Sequence, residues 1–240
     1  KNDSKYWSWR NILTYNRTFN DKHNINAMVG QEMSENHWET QESRATGYLS
    51  NSAQDPSAGG QVDGSGYQDN SSILSYFGRA FYSFADRYLL TATIRRDGSS
   101  KFAKKNRYGL FPSASLAWNF SEEDFMKEYK SILSNGKLRA SWGLTGNNRV
   151  GEYEAYALLK MAKAASNNLP SGVYPFENNQ NSIGMVPISL ANKDLKWETT
   201  EQWNVGLDLG FFDERIGINV DWYMKTTRDL LLDASLPYST

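Results

Sequence analysis

The stretch YSFADRYLLTATIRRDGSSKF, residues Tyr82–Phe102, alternates between apolar and polar side chains from Tyr88 onward. This period of two is typical of a β-strand with one apolar and one polar face. The apolar side carries Tyr88, Leu90, Ala92 and Ile94, and the polar side carries Thr91, Thr93 and Arg95. We interpret Asp86–Arg87 and Asp97–Gly98 as the turns that bound this strand. The pattern predicts a strand whose apolar side contacts either a protein core or lipid.

Alternating stretches recur along the whole chain and predict an all-β protein of about eight strands. Besides the opening strand, we predict strands at about Tyr6–Phe19, Asn24–Trp38, Ser72–Phe84, Tyr108–Phe120, Lys137–Thr145, Leu195–Phe211 and Arg215–Lys225. Ser121, followed by Glu122, Glu123 and Asp124, predicts a capped helix of one or two turns that ends near Leu133, before Asn135–Gly136.

The connections between these strands differ greatly in length. Tight turns are predicted at 20–23, 85–87 and 212–214, whereas residues 39–71 and 146–194 form two long polar segments. Short turns at one end and long loops at the other are typical of an antiparallel up-and-down transmembrane β-barrel. No apolar run approaches the roughly 20 residues of a transmembrane helix, and barrel strands need no such run.

Composition narrows the chemistry that the chain can perform. It has no cysteine, two histidines and a formal net charge of −1, so disulfides and thiolate metal sites are excluded and bulk charge favours no nucleic acid. We find no catalytic constellation and expect no enzyme activity, no metal site and no cofactor. The three acids Glu122–Asp124 are better explained by a helix start than by acid–base catalysis.

Arginine positions indicate which face would contact lipid. An arginine on the lipid face near the bilayer midplane costs about 2–4 kcal/mol, so mid-strand Arg79 and Arg139 predict a luminal face that also carries Phe77 and Phe81. The luminal candidates are Arg79, Arg95, Asp97 and Arg139. We expect them to contact substrate or to pair with a plug or with neighbouring strands.

The two long segments are candidates for function because loops of this length are seldom mere connectors. In a barrel, residues 39–71 and 146–194 would lie outside the cell. Their aromatic side chains can stack on sugars or pack one loop on another, and the candidates are Trp38, Tyr48, Tyr67, Tyr153, Tyr156 and Tyr174.

The alternating pattern alone leaves two other hypotheses open. One is a secreted, soluble β-sandwich module that binds glycan through loop aromatics. The other is an outer-membrane barrel enzyme, which the missing catalytic constellation disfavours.

Several long phrases, in order, resemble the barrel of SusC/RagA-type TonB-dependent transporters from Bacteroidota outer membranes. They are Ser75–Met126, KLRASWGLTGNN at Lys137–Asn148, LANKDLKWETTEQWNVGLDLGFF at Leu190–Phe212 and DWYMKTTRDLLLDASLP at Asp221–Pro237. The resemblance covers nearly the whole chain and is weakest in the two long segments.

The resemblance implies a barrel of about 22 strands with a plug in its lumen. It also implies an outer-membrane location, a SusD-like lipoprotein lid, energy from TonB relayed through the plug, and oligosaccharide or oligopeptide as substrate. We therefore expect residues 1–240 to be part of a single barrel domain, with the plug and the remaining strands supplied by other sequence.

Overall fold

The computed structural model describes residues 1–50, 52, 55–161, 173–176, 180–183, 185–187 and 189–232. Eight long strands form one antiparallel sheet in the order β1-β2-β3-β4-β5-β6-β11-β12. They are β1 (Asn2–Phe19), β2 (His23–Thr46), β3 (Gln61–Phe84), β4 (Tyr88–Ser99), β5 (Tyr108–Asn119), β6 (Leu133–Asn147), β11 (Glu198–Phe211) and β12 (Ile216–Arg228). The expected number of strands and their up-and-down order are confirmed. The sheet is not closed among the described residues, and β1 and β12 form its two edges.

Four short strands lie between β6 and β11. They are β7 (Leu159–Met161), β8 (Val173–Phe176), β9 (Gln180–Ile183) and β10 (Met185–Pro187). β7 pairs with β10, and β8 pairs with β9. The segment 146–194, predicted as a loop, therefore contains two small hairpins of its own.

Three hairpin turns lie together at one end of the sheet, called the turn end below. The two central residues of each have positive φ: Asn20 and Asp21, Ala85 and Asp86, and Asp213 and Glu214; in the third turn Phe212 has positive φ as well. Each also has a backbone hydrogen bond across the turn, such as the 3.0 Å bond from Arg87 N to Phe84 O. This pattern is typical of type I′ turns, whose twist matches that of the flanking strands. The opposite end, which carries the connections from β2 to β3, from β4 to β5 and from β6 to β11, is called the loop end.

The prediction of a long loop at 39–71 is wrong. β2 continues to Thr46 and β3 already begins at Gln61, and the two strands pair without interruption from His23–Phe84 to Thr46–Gln61. The outer part of this hairpin shows no apolar alternation because both of its faces are polar, so periodicity could not reveal it. Asp97–Gly98 is likewise not a turn, since β4 runs on to Ser99.

The connection between β5 and β6 also differs from its prediction. It consists of two 3₁₀ helices, Phe120–Glu122 and Asp124–Tyr129, and neither has a side-chain N-cap. Ser121 is buried and caps no helix. Asn135–Gly136, expected to end a helix, lies inside β6 beside a register shift at Gly210/Phe211.

The two faces of the sheet differ sharply in chemistry. The face that carries Leu90 and Ile94, called the apolar face, is open: Leu13 is 72% exposed, Leu116 59% and Val220 58%. No second sheet covers the apolar face anywhere in the described ranges. A soluble β-sandwich buries the inner face of each sheet, so this open apolar face does not support that hypothesis.

Candidate functional site

The opposite face, which carries Arg79 and is called the polar face, is hydrophilic across all eight long strands. Strand register aligns one row of residues across it: Asn16, Asn26, Phe81, Thr91, Ser115, Ser141, Asn204 and Tyr223. Six of these eight residues are asparagine, serine or threonine, and the other two are Phe81 and Tyr223. Such a surface suits water and polar solutes, whereas the apolar face does not.

Arg139 is held by carboxylates from the next two strands. Its Nε and Nη2 donate to the two oxygens of Asp208 at 2.7 Å each, and Nη2 also donates to Asp221 Oδ1 at 3.2 Å. Fork-like pairing of this kind fixes the orientation of the guanidinium. Arg139 therefore joins β6, β11 and β12, as expected for an arginine that pairs with neighbouring strands.

Arg95 and Asp97 are brought together within β4. Arg95 Nε lies 2.8 Å from Asp97 Oδ1, and Arg95 Nη2 donates to Ser75 Oγ at 3.0 Å. Glu32 lies 4.0 Å from the same guanidinium and forms a 2.6 Å ion pair with Arg10. These charges form a continuous network across β1, β2, β3 and β4.

Arg79 is the exception among the four candidates. It is exposed and forms no ion pair within the part of the chain that the structure describes. It borders a concavity of about 640 Å³ lined by Asn16, Arg17, Thr18, Asn24, Asn26, Arg79 and Phe81. None of these side chains is acidic, so the concavity offers two arginines, Arg17 and Arg79, and several amides with no carboxylate to balance them.

A small hydrophobic core lies at the loop end. Phe102, Phe111 and Trp197 are buried together, with Leu144, Val150 and Leu195 packed around them. Phe111 approaches Gly146 so closely that a Cβ there would lie 2.0 Å from the phenylalanine ring. The core therefore requires glycine at that position.

Polar contacts fasten the surrounding loops to this core. Trp197 Nε1 donates to Arg107 O at 3.0 Å, and Lys101 Nζ donates to Val150 O at 2.7 Å and pairs with Glu152 at 3.2 Å. Lys105 binds Asp194 and lowers the pKa of that carboxyl through their hydrogen bond. Loops that follow β4, β6 and β10 are thus joined into one unit.

The six aromatic candidates do not form one group. Trp38 lies in β2, within the strand predicted at Asn24–Trp38, whereas Tyr67, predicted in the long loop, lies in β3. Their register puts them diagonally opposite each other on the polar face. Tyr48 is half-buried between these strands' ends, and Tyr153 and Tyr156 are exposed in the connection after β6. Tyr174 lies in β8, and its side chain is outside the described part of the chain.

Comparison with known proteins agrees with this geometry. A family model described as "TonB dependent receptor-like, beta-barrel" matches residues 1–240. The chain belongs to this family. It is 37% identical over 230 residues to "TonB-dependent receptor P3" of Formosa agariphila, which covers 95% of the chain and 22% of that protein. It is 42% identical over 174 residues to "TonB-dependent receptor SusC" of Bacteroides thetaiotaomicron, covering 72% of the chain and 17% of that protein.

The chain is also similar to solved structures in its three-dimensional fold. The chain resembles the "Structure of the RagAB peptide transporter" with a TM-score of 0.85 and 27% identity, covering 99% of the chain and 25% of that structure's chain. The resemblance to SusC/RagA-type transporters is confirmed. The chain spans only about a fifth of the length of the curated relatives that it matches.

Trp197 is a functional-site residue that the sequence did not predict. Trp197 belongs to the family-like phrase LANKDLKWETT, yet no role was predicted for it because it precedes the alternating part of β11. In this TonB-dependent receptor barrel, Trp197 anchors the loop-end core. No cluster of three or more metal-binding side chains occurs among the residues that the structure describes. No helix in those residues is long and apolar enough to cross a membrane.

Proposed function

We propose that this chain forms part of the wall and the outer mouth of a TonB-dependent importer in the outer membrane of a Bacteroidota-like bacterium. Its substrate would be an oligosaccharide or an oligopeptide, a SusD-like lipoprotein would cover the mouth, and TonB would supply energy through a plug. The observation that carries this proposal is one sheet of eight strands with a continuous apolar face and a continuous polar face. That arrangement suits a wall between lipid and an aqueous lumen.

The apolar face has the dimensions of a bilayer. In β5, Tyr108 and Trp118 lie on this face ten residues apart. At about 3.4 Å per residue and a tilt of about 40°, this corresponds to about 25 Å along the membrane normal, the height of a typical barrel's apolar band. Aromatic residues at both limits suit the two interfaces. The turn end would then lie in the periplasm and the loop end outside the cell.

The unpaired cation at Arg79 suggests a role for the polar face. We propose that Arg79, with Asn16 and Asn26, binds a carboxylate in the lumen, from either the plug or the substrate. Charge complementarity supports this, because Arg10, Arg95 and Arg139 on the same face are already paired with carboxylates. Arg95, Asp97 and Arg139 would mainly stabilise the wall. Trp38 and Tyr67, on the polar face of the outer hairpin, are better placed to contact substrate than the other aromatic candidates.

Transport is tested in the bacterium that carries the gene. Uptake of fluorescent oligosaccharide pools and oligopeptide pools is measured in the wild type, in a strain lacking the gene and in a strain lacking TonB. Both deletions should abolish uptake of the same subset of compounds, and a SusD-like lipoprotein should co-purify with the complete protein. Uptake that survives either deletion would overturn the proposed function.

The role of Arg79 is tested by Arg79→Gln in the complete transporter. Lys225→Gln removes a positive charge from the same row of the polar face and serves as the control. If Arg79 binds substrate, KM rises several-fold for acidic substrates alone; if it binds the plug, the pore leaks small solutes without any change in substrate preference. Arg79→Gln behaving as Lys225→Gln in both assays would refute the carboxylate site.

A further inference from the structure

The connection between β5 and β6, residues 120–132, lies beside the apolar face. The ring of Phe120 covers Gly136, where a Cβ would lie 2.5 Å from it. Gly136 shares the apolar face with Leu138, two residues further along β6. Phe120 also packs edge-on against Trp118, with 5.8 Å between their ring centroids. The segment therefore leaves the sheet on the apolar side and not on the polar side.

Glu123 holds the segment in that position. Its carboxylate accepts hydrogen bonds from Tyr88 Oη at 2.6 Å, from Trp118 Nε1 at 3.1 Å and from Arg87 Nη1 at 3.1 Å. Tyr88 and Trp118 are themselves opposite each other on the apolar face. These three donors, from two strands and a turn, fix residues 120–132 at the turn-end rim of that face.

The charges of the segment largely neutralise one another. Lys127 lies 2.8 Å from Asp124, and Lys130 lies 3.1 Å from Glu122. Since Glu123 is paired with Arg87, Glu128 is the one charged side chain of residues 120–132 with no ion-pair partner in the described ranges. Local pairing lowers the cost of moving these charges from water into the headgroup region.

The apolar side chains of the segment are instead left open. Phe125 is 61% exposed, Tyr129 56% and Ile132 53%. Residues three apart align in a 3₁₀ helix, so Met126 and Tyr129 lie along one side of Asp124–Tyr129, and Phe125 lies on the next side. Ile132 follows the helix, and its backbone N donates to Tyr129 O at 2.9 Å. Phe212 extends this group, because its backbone N donates to Ile132 O at 3.0 Å and its side chain is half exposed.

We propose that residues 120–132, together with Phe212, form an interfacial anchor that inserts into the headgroup–acyl boundary of the bilayer at the turn end. The partner is a phospholipid surface, because the open side chains continue the apolar face and include the aromatic types that favour this boundary. The inference rests on the apolar face lying in lipid, as proposed above. It adds a contact that holds the barrel wall at a fixed depth.

Spin labels provide the test, and the absence of cysteine from residues 1–240 makes single labelling simple. In the complete protein, with any cysteine elsewhere replaced, nitroxide is attached at Phe125→Cys or Tyr129→Cys and the protein is reconstituted in phospholipid vesicles. Lys127→Cys, on the charged side, is the matched control, and Leu116→Cys reports the centre of the apolar face. Collision with oxygen, which partitions into lipid, is compared with collision with a water-soluble nickel complex.

Labels at 125 and 129 should favour oxygen over nickel several-fold more than the label at 127. Equal access to nickel at 125, 127 and 129 would overturn the anchor, and so would shielding of 125 and 129 from both reagents, which would indicate a protein contact. If Phe125→Cys does not assemble, Tyr129→Cys and Ile132→Cys give the same measurement. A nickel-accessible label at 116 would contradict the proposal that the apolar face lies in lipid. Failure of that proposal is thereby distinguished from failure of the anchor alone.

Discussion

Ala114→Arg provides a strong test of the assignment of the two faces. Ala114 lies on the apolar face of β5, between Tyr108 and Trp118, and pairs with Ala92 on one side and Trp142 on the other. It is four residues from Trp118, so it lies about 10 Å above the turn-end limit of the roughly 25 Å band, close to its middle. An arginine introduced there should cost about 2–4 kcal/mol.

Ser115→Arg is the matched control. Ser115 is the next residue and lies on the polar face, opposite Thr91 and Ser141. An arginine there would enter water beside other polar side chains, and its cost should stay below about 0.5 kcal/mol. Ala114→Leu controls for volume and should be nearly neutral, because the added methyl groups meet lipid.

The free energy of unfolding is measured for the complete protein in phospholipid vesicles by denaturant titration, followed by tryptophan fluorescence. A loss of about 2–4 kcal/mol corresponds to roughly a 30- to 700-fold change in the folding equilibrium, at tenfold per 1.4 kcal/mol. Equal costs for Ala114→Arg and Ser115→Arg would refute the reasoning, since both faces would then meet the same medium. A larger cost at Ser115 would reverse the faces.

Four further outcomes follow from named contacts. Trp197→Ala should destabilise the loop-end core by about 3–5 kcal/mol and speed protease cleavage within 148–158 and 190–197. The control is Trp203→Ala, since Trp203 is 46% exposed on the apolar face, and it should leave cleavage unchanged. Arg139→Met should cost about 1 kcal/mol in a denaturant titration, because the Arg139 side chain is 33% exposed and solvent screens its ion pair. Adding Asp208→Asn should recover part of the loss, and no recovery would argue against an ionic origin. Hydrogen bonds from Tyr88 and Trp118, with the charge of Arg87, lower the pKa of Glu123. The stability that the Glu123 carboxylate contributes is therefore present above about pH 4 and disappears as pH falls through the folded-state pKa. The melting-temperature difference between wild type and Glu123→Gln should shrink on acidification. Ala85→Gly should stabilise the protein by about 1 kcal/mol in thermal melts, more than Asp86→Gly does, because alanine tolerates the positive φ of 52° less well than aspartate tolerates its own.

The sequence was most informative where a strand separates two different media. The alternation of Tyr88, Leu90, Ala92 and Ile94 with Thr91, Thr93 and Arg95 predicted β4 and both of its faces. The turns at 20–22 and 85–87 could also be predicted from the sequence, because Asn and Asp tolerate positive φ. Where water lies on both faces, as in the outer part of β2 and β3, no alternation exists and the strands were mistaken for a loop.

The chain by itself therefore determined the eight long strands, their up-and-down order and the family, since these depend on local periodicity and on long phrases in order. Only the tertiary structure decided which charges meet. Arg139 finds Asp208 and Asp221, which lie 69 and 82 residues away, whereas Arg79 finds no partner within the described ranges. The tertiary structure also determined that Phe102, Phe111 and Trp197 form one core and that Glu123 holds residues 120–132 beside the apolar face. Such contacts depend on strand register and on the path of the connections, which bring together residues that no local pattern relates.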